Sequence, residues 1–199
     1  MSVDKVILRA FLSTLLAIVI LLSFMFLALI AIFPQTMMEI TYNMGMESSS
    51  IYFAEDAYKR TDDVGYIAYA TEVAILGDNT GKIIKCGEKF INDAGFEDYC
   101  VKKDEEVDVE TSYKQYVYGK VCVAMYEKGK KEEAVARAFE LIGKTFPHNN
   151  AVVALIVTAN RAQDVATLDM IKGKMNELQN ELDDDAKTYV GEILALLEK

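Results

Sequence analysis

The chain has 199 residues, 52% of them apolar, and its 21 Lys and Arg against 31 Asp and Glu leave a net charge of −10. That balance excludes the concentrated basic surface of a nucleic-acid-binding protein, and the abundant aliphatic and Tyr residues argue against intrinsic disorder. The apolar residues are also unevenly spread: residues 10–33 are 24 uncharged positions in a row, of which only Ser13, Thr14 and Ser23 are polar.

That run is the first predicted element. As a helix it would extend about 36 Å, beyond the roughly 30 Å of a bilayer's hydrocarbon core and with room for tilt. No second run approaches it, which excludes a multi-pass transporter; residues 151–159 end at Asn160 and Arg161 and read as a core element. A cleaved signal peptide would have a shorter apolar stretch closed by small residues. Here Leu29, Ile30, Ile32 and Phe33 are bulky, so an uncleaved transmembrane anchor is expected. Lys5 and Arg9 precede it, and the next cation is Lys59. The positive-inside rule therefore makes residues 1–9 a cytoplasmic tail and places everything after the span outside the cell membrane. Ser13 and Ala17 form one small-residue pair in the span, no more than chance supplies. Outside the span the apolar content falls to roughly 47%, ordinary for a globular domain.

Pro34 ends or kinks the anchor helix. Residues 34–50 carry Met37, Met38, Met44 and Met46 ahead of three serines and read as a juxtamembrane connector. Its methionines either pack under the following domain, the preferred expectation, or lie at headgroup level. Residues 51–199 then form one helical domain, with helices predicted over 51–60, 64–76, 80–92, 112–128, 131–145, 150–160, 165–181 and 185–198. Helix-start residues occupy the breaks: Asp62 and Asp63, Asn79 and Thr80, Thr111 and Ser112, Asn149 and Asn150, Asp164, and Asp183 and Asp184. Their side chains can accept hydrogen bonds from first-turn amides. Gly77 and Gly129 stand where helices should stop. The charge-rich residues 103–111 predict a mobile loop. Residues 113–126 also alternate as a strand would at Tyr116, Tyr118, Cys122 and Ala124, and period alone does not decide between the two.

A longer pattern favours helix. Residues 118–150 place Tyr118, Val121, Cys122, Met125 and Tyr126 ahead of Gly129, followed by Ala134, Ala138, Phe139, Leu141, Ile142 and Pro147. This resembles a tetratricopeptide repeat, in which a first helix, a Gly turn, a small Ala on the second helix and a closing Pro recur. Pro147 comes one residue late, and Cys122 takes the small-residue position. A weaker copy runs through Tyr66, Tyr69, Ala70, Val73, Gly77, Ile84, Gly87 and Phe90. Residues 150–181 would be a third hairpin and 185–198 a terminal capping helix. The resemblance implies an all-α fold, a helical-hairpin solenoid, with an irregular helical bundle as the alternative.

Motifs for chemistry are sparse. His148 is the one histidine and reads as solvated; with no second His and no close Cys pair, no zinc site is expected. The segment Gly77-Asp78-Asn79-Thr80-Gly81-Lys82 has the wrong spacing for a phosphate loop, and Ile83 follows its Lys. Acidic clusters at 104–106 and 183–185 lack the ligand spacing of a calcium loop. Cys86, Cys100 and Cys122 cannot all pair; three thiols are expected, with a Cys86–Cys100 bridge as the alternative in an oxidising compartment.

These features point to a membrane-anchored protein–protein interaction module, with no enzymatic activity, cofactor or metal expected. Tyr66, Tyr69, Tyr113, Tyr116 and Tyr118 are the candidate binding residues, although each could instead pack between helices. The expected partners are the lipid bilayer and an unidentified protein or membrane complex, and weak homo-oligomerisation is compatible. The alternative is a structural accessory subunit recruited to a membrane complex through its anchor helix.

Overall fold

The computed structural model describes residues 3–106, 112–141, 150–178 and 184–197, and every regular element among them is an α-helix. In chain order these are α1 (Val3–Ile32), α2 (Pro34–Asn43), α3 (Glu47–Thr61), α4 (Val64–Leu76), α5 (Thr80–Ile91), α6 (Phe96–Glu106), α7 (Tyr113–Glu127), α8 (Lys131–Phe139), α9 (Asn150–Arg161), α10 (Val165–Leu178) and α11 (Asp184–Leu197). His148, Pro147, Asn149, Asp183 and residues 107–111 lie outside the described residues. The chain divides into two compact units, Met1–Asp62 and Asp63–Lys199.

In the first unit, α1 contains the one described stretch, Ile7–Ile32, that is long and apolar enough to cross a membrane. Pro34 lacks an N–H, so the Ile30 carbonyl loses its helical donor and the chain restarts as α2. Beside that break, Arg60 Nη1 donates to the Ala31 carbonyl at 3.4 Å, while Arg60 also pairs with Asp56 at 2.6 Å. The stretch read as a connector is thus helical: α2 occupies 34–43, and α3 begins four residues earlier than expected. The reason lies in the pairing of α2 with α3, which buries Met37, Met38, Ile51, Ala54 and Ala57. Ser50, one of the three connector serines, is buried and donates to the Met38 carbonyl at 2.9 Å. Of the four methionines, Met37 and Met38 are 4% exposed, but Met44 and Met46 are 68% and 47% exposed.

The second unit is built from the hairpins α4–α5, α7–α8 and α9–α10, with α6 between the first two. Its core is formed by Ile67 and Val73 of α4, Phe90 of α5, Val117 and Val121 of α7, Val135 of α8, Leu155 of α9 and Ile171 and Met175 of α10. Burying a side chain of that size contributes about 1.5–3 kcal/mol. At Gly87 a Cβ would lie 2.3 Å from Val121 Cγ2, so the missing side chain is what lets α5 close on α7. Arg137 of α8 ties back to α5, its Nε and Nη2 reaching the two Glu88 oxygens at 2.9 and 2.5 Å. The strand-like alternation over 113–126 is that of a helix buried on several sides, since α7 packs against α5, α8 and α9.

Four hairpins close through one kind of turn. Gly45, Asp78, Gly129 and Gln163 take the left-handed conformation, at φ of 71°, 48°, 79° and 53°. At each, two nested amide–carbonyl bonds satisfy the last carbonyls of the first helix, as Gly129→Tyr126 and Lys130→Met125 do at 2.9 Å. Gly77, expected to end α4, has φ −83°, and its neighbour Asp78 turns left-handed instead. A short polar side chain tolerates that region better than most. Gly45 and Asp78 are 33 residues apart, Gly129 and Gln163 are 34 apart, and 51 residues, including α6, separate Asp78 from Gly129.

Several sequence expectations change. Residues 103–106 belong to α6 and not to a loop, because Phe96 packs on Phe90 and the Asp104 carboxylate accepts the Tyr113 amide at 2.6 Å. The second helix of the best repeat match ends at Phe139, short of the predicted 145. The Asp63, Asn79, Ser112 and Asp164 side chains accept hydrogen bonds from first-turn amides, at Gly65, Lys82, Gln115 and Thr167. Asp62 is instead a left-handed residue ending α3.

Candidate protein-binding groove

The tyrosines singled out in the sequence do not form one surface. Tyr118 is 8% exposed, its ring against Phe96. Tyr113 is half-buried in a cluster with Phe90, Tyr99 and Tyr116, and its hydroxyl donates to Glu72 of α4 at 2.6 Å. Tyr66 and Tyr69 are half-buried on α4. Only Tyr116 is exposed, at 40%. For Tyr113 and Tyr118 the core-packing role therefore prevails.

Charge and burial explain the state of these groups. Burial first, then the bond to Glu72, holds the Tyr113 phenol well above its ordinary pKa. Burial also pushes Tyr99 and Tyr118 up to about 12. Each hydroxyl is thus a neutral donor, suited to structural hydrogen bonds and not to proton transfer near neutral pH.

Tyr116 borders an open groove of about 220 Å³ between α7 and α9, lined by Gln115, Tyr116, Gly119, Lys120 and Val123 of α7 with Asn150 and Ala154 of α9. Gly119 lies where α7 faces α9: a Cβ there would stand 3.8 Å from the Ala151 Cα and 3.9 Å from the Ala154 Cβ, an ordinary contact distance. Lys120 Nζ lies 5.7 Å from the Tyr116 ring centroid, within reach of a cation–π attraction. The rim thus offers one ring, one cation and a mostly apolar floor. Of these residues only Tyr116 was a sequence candidate. Gly119, Lys120, Val123 and Ala154 carry no motif, and the proximity of α7 to α9 that makes them a group has no local signal.

A second polar centre went unrecognised beyond its capping role. Asp164, which opens α10, accepts Tyr126 Oη at 2.9 Å and Thr167 Oγ1 at 2.8 Å, and it pairs with Lys131 Nζ at 2.5 Å. Hydrogen bonds from Lys131, Thr167 and Tyr126 hold its carboxyl far below the usual range. It joins α7, α8 and α10 and is fully occupied by them.

Cys86, Cys100 and Cys122 are all buried, and no disulfide joins them. Burial pushes Cys100 and Cys122 up to about 12, so neither is a thiolate nucleophile at neutral pH. Among the described residues no group of three or more His, Cys, Asp or Glu side chains is arranged to hold a metal ion. No protein-family model, curated protein or solved structure matches the chain.

Proposed function

We propose that the chain is a single-pass membrane protein whose C-terminal unit lies outside the cytoplasmic membrane and binds another protein along the α7–α9 groove. The observation that carries this reading is the groove, where an exposed Tyr and a Lys flank an apolar floor. Aromatic side chains at a desolvated pocket are the usual anchors of protein recognition. The tetratricopeptide-like interpretation is supported by the common left-handed turn and by its recurrence after 33 and 34 residues, close to the 34-residue period of that repeat. The inserted α6 interrupts the period. The outward orientation rests on Lys5 and Arg9 ahead of α1 and the lack of further cations before Lys59.

A photo-activated crosslinker at Val123, in native membranes, tests the groove against one at Glu132 on α8. A discrete adduct from Val123 and none from Glu132 supports the reading; equal labelling from both rejects it. A compartment-sensitive reporter at the C-terminus tests the side, and activity only in the cytoplasm would reverse the orientation.

A second reading is favoured by the length of α1 over which apolar side chains are exposed, Ile7–Ile32. In it the chain is an accessory subunit recruited through its span. Replacing α1 with an unrelated apolar helix separates the two: loss of function with the C-terminal unit intact favours recruitment through the span.

A further inference from the structure

The α2–α3 hairpin leaves an apolar stripe uncovered. Phe33, Ile40 and Met44 are exposed: Ile40 lies on α2, Phe33 and Met44 flank its two ends, and the spacing from Ile40 to Met44 is one helical turn. Met37, Met38 and Thr41 are buried on the adjoining side, while Gln35, Thr36, Glu39, Tyr42 and Asn43 make up the exposed remainder, all with polar groups. Two observations bring the base of the hairpin to the end of the span. Phe33 is the single residue between α2 and the end of α1 at Ile32, so α2 begins where the apolar span stops. From the far end of α3, Arg60 reaches back to the Ala31 carbonyl, so both ends of the hairpin are held at that level. Exposed Lys59 stands next to it.

We infer that the α2–α3 hairpin is seated on the bilayer surface, with Phe33, Ile40 and Met44 in the headgroup–acyl boundary and Lys59 and Arg60 beside the lipid phosphates. This rests on the reading of α1 as a membrane span. An amphipathic helix in the interface plane sinks its apolar face about 5–10 Å into that boundary, and lipid phosphates on either side offer Lys and Arg side chains charge-assisted hydrogen-bond partners. The exposure of Met44, unexplained by packing within the hairpin, follows from this placement.

The chain contains no Trp, so a single substitution gives an unambiguous fluorescence reporter. Full-length Leu22→Trp, Ile40→Trp and Glu39→Trp proteins are reconstituted in vesicles of phosphatidylcholine and phosphatidylglycerol brominated either near the headgroup or near the chain end. All three sites are exposed, so the fold should be retained, and circular dichroism checks it. Leu22→Trp is expected to be quenched most by the deep bromines. Ile40→Trp should be quenched by the shallow bromines at least about twofold more than by the deep ones, and more than Glu39→Trp. Quenching at Leu22→Trp without any at Ile40→Trp overturns the surface seat alone, including where Ile40→Trp is shielded from an aqueous quencher by a protein. Loss of quenching at both sites overturns the spanning reading and the seat with it.

Discussion

The α2–α3 and α7–α8 hairpins close through the same left-handed turn, at Gly45 and at Gly129, with the same pair of nested hydrogen bonds. Their surroundings differ. α7 has α5, α8 and α9 against it and buries residues on several sides, including Val117, Val121, Cys122 and Met125. α2 buries only Met37, Met38 and Thr41 and leaves Ile40 exposed. The turn is set by a few residues and their own backbone bonds, whereas burial is set by how many other elements come within reach. A comparable contrast exists among the turns themselves. Where glycine supplies the left-handed residue, the next position, Met46 or Lys130, makes no side-chain cap. Where Asp78 or Gln163 supplies it, the next position, Asn79 or Asp164, caps the following helix. A cap of about 1 kcal/mol offsets much of the roughly 1–2 kcal/mol cost of a left-handed non-glycine residue.

The largest effect should come from the buried side of the contrast. Leu155→Ala, at a fully buried site on α9, should lower stability by about 2–5 kcal/mol in urea unfolding in detergent micelles. Ile40→Ala, on the uncovered stripe, should change it by less than about 0.5 kcal/mol. A large loss at Ile40 in micelles would mean that protein covers α2. Next in size, Gly45→Ala and Gly129→Ala should each cost about 1–2 kcal/mol. At neither position would a Cβ meet another atom, so the cost is backbone strain alone. Equal losses support a purely local turn, and a marked inequality would mean that its surroundings take part.

An effect confined to acid pH is expected at Asp164. Its folded pKa is depressed, so its stabilising contribution is complete above the unfolded value of about 3.9 and fades as pH falls toward the folded one. Asp164→Asn should therefore flatten the acid limb of the unfolding profile below about pH 4. An acid limb identical to the parent's would assign the acid sensitivity to other carboxylates.

Much of the helical layout is legible along the chain. α4 occupies residues 64–76, as its capping Asp63 and apolar run predict, and the starts of α5, α7, α9 and α10 fall within a residue of expectation. These starts are legible because a helix N-terminus needs a specific side chain close in sequence. α6 is not legible. After Phe96, Tyr99 and Cys100 its residues are almost all charged, and contacts with α5 and α7 hold it as a helix: Phe96 and Tyr99 against Phe90, Glu97 with Lys114, and Asp104 with the Tyr113 amide. The candidate groove is less legible still. Tyr116 was one of five tyrosines of similar standing, and its neighbour Tyr118 is buried.

The amino-acid sequence by itself determined the all-helical class, the long apolar helix near the N-terminus, the sites where most helices begin and the Gly129 turn, because each depends on residues within one or two turns of chain. Only the tertiary structure decided which tyrosines and methionines are covered, that residues 34–50 join a hairpin, and that Tyr116 borders a groove beside α9. Those outcomes depend on contacts between elements distant in sequence, and no periodicity records which element will arrive.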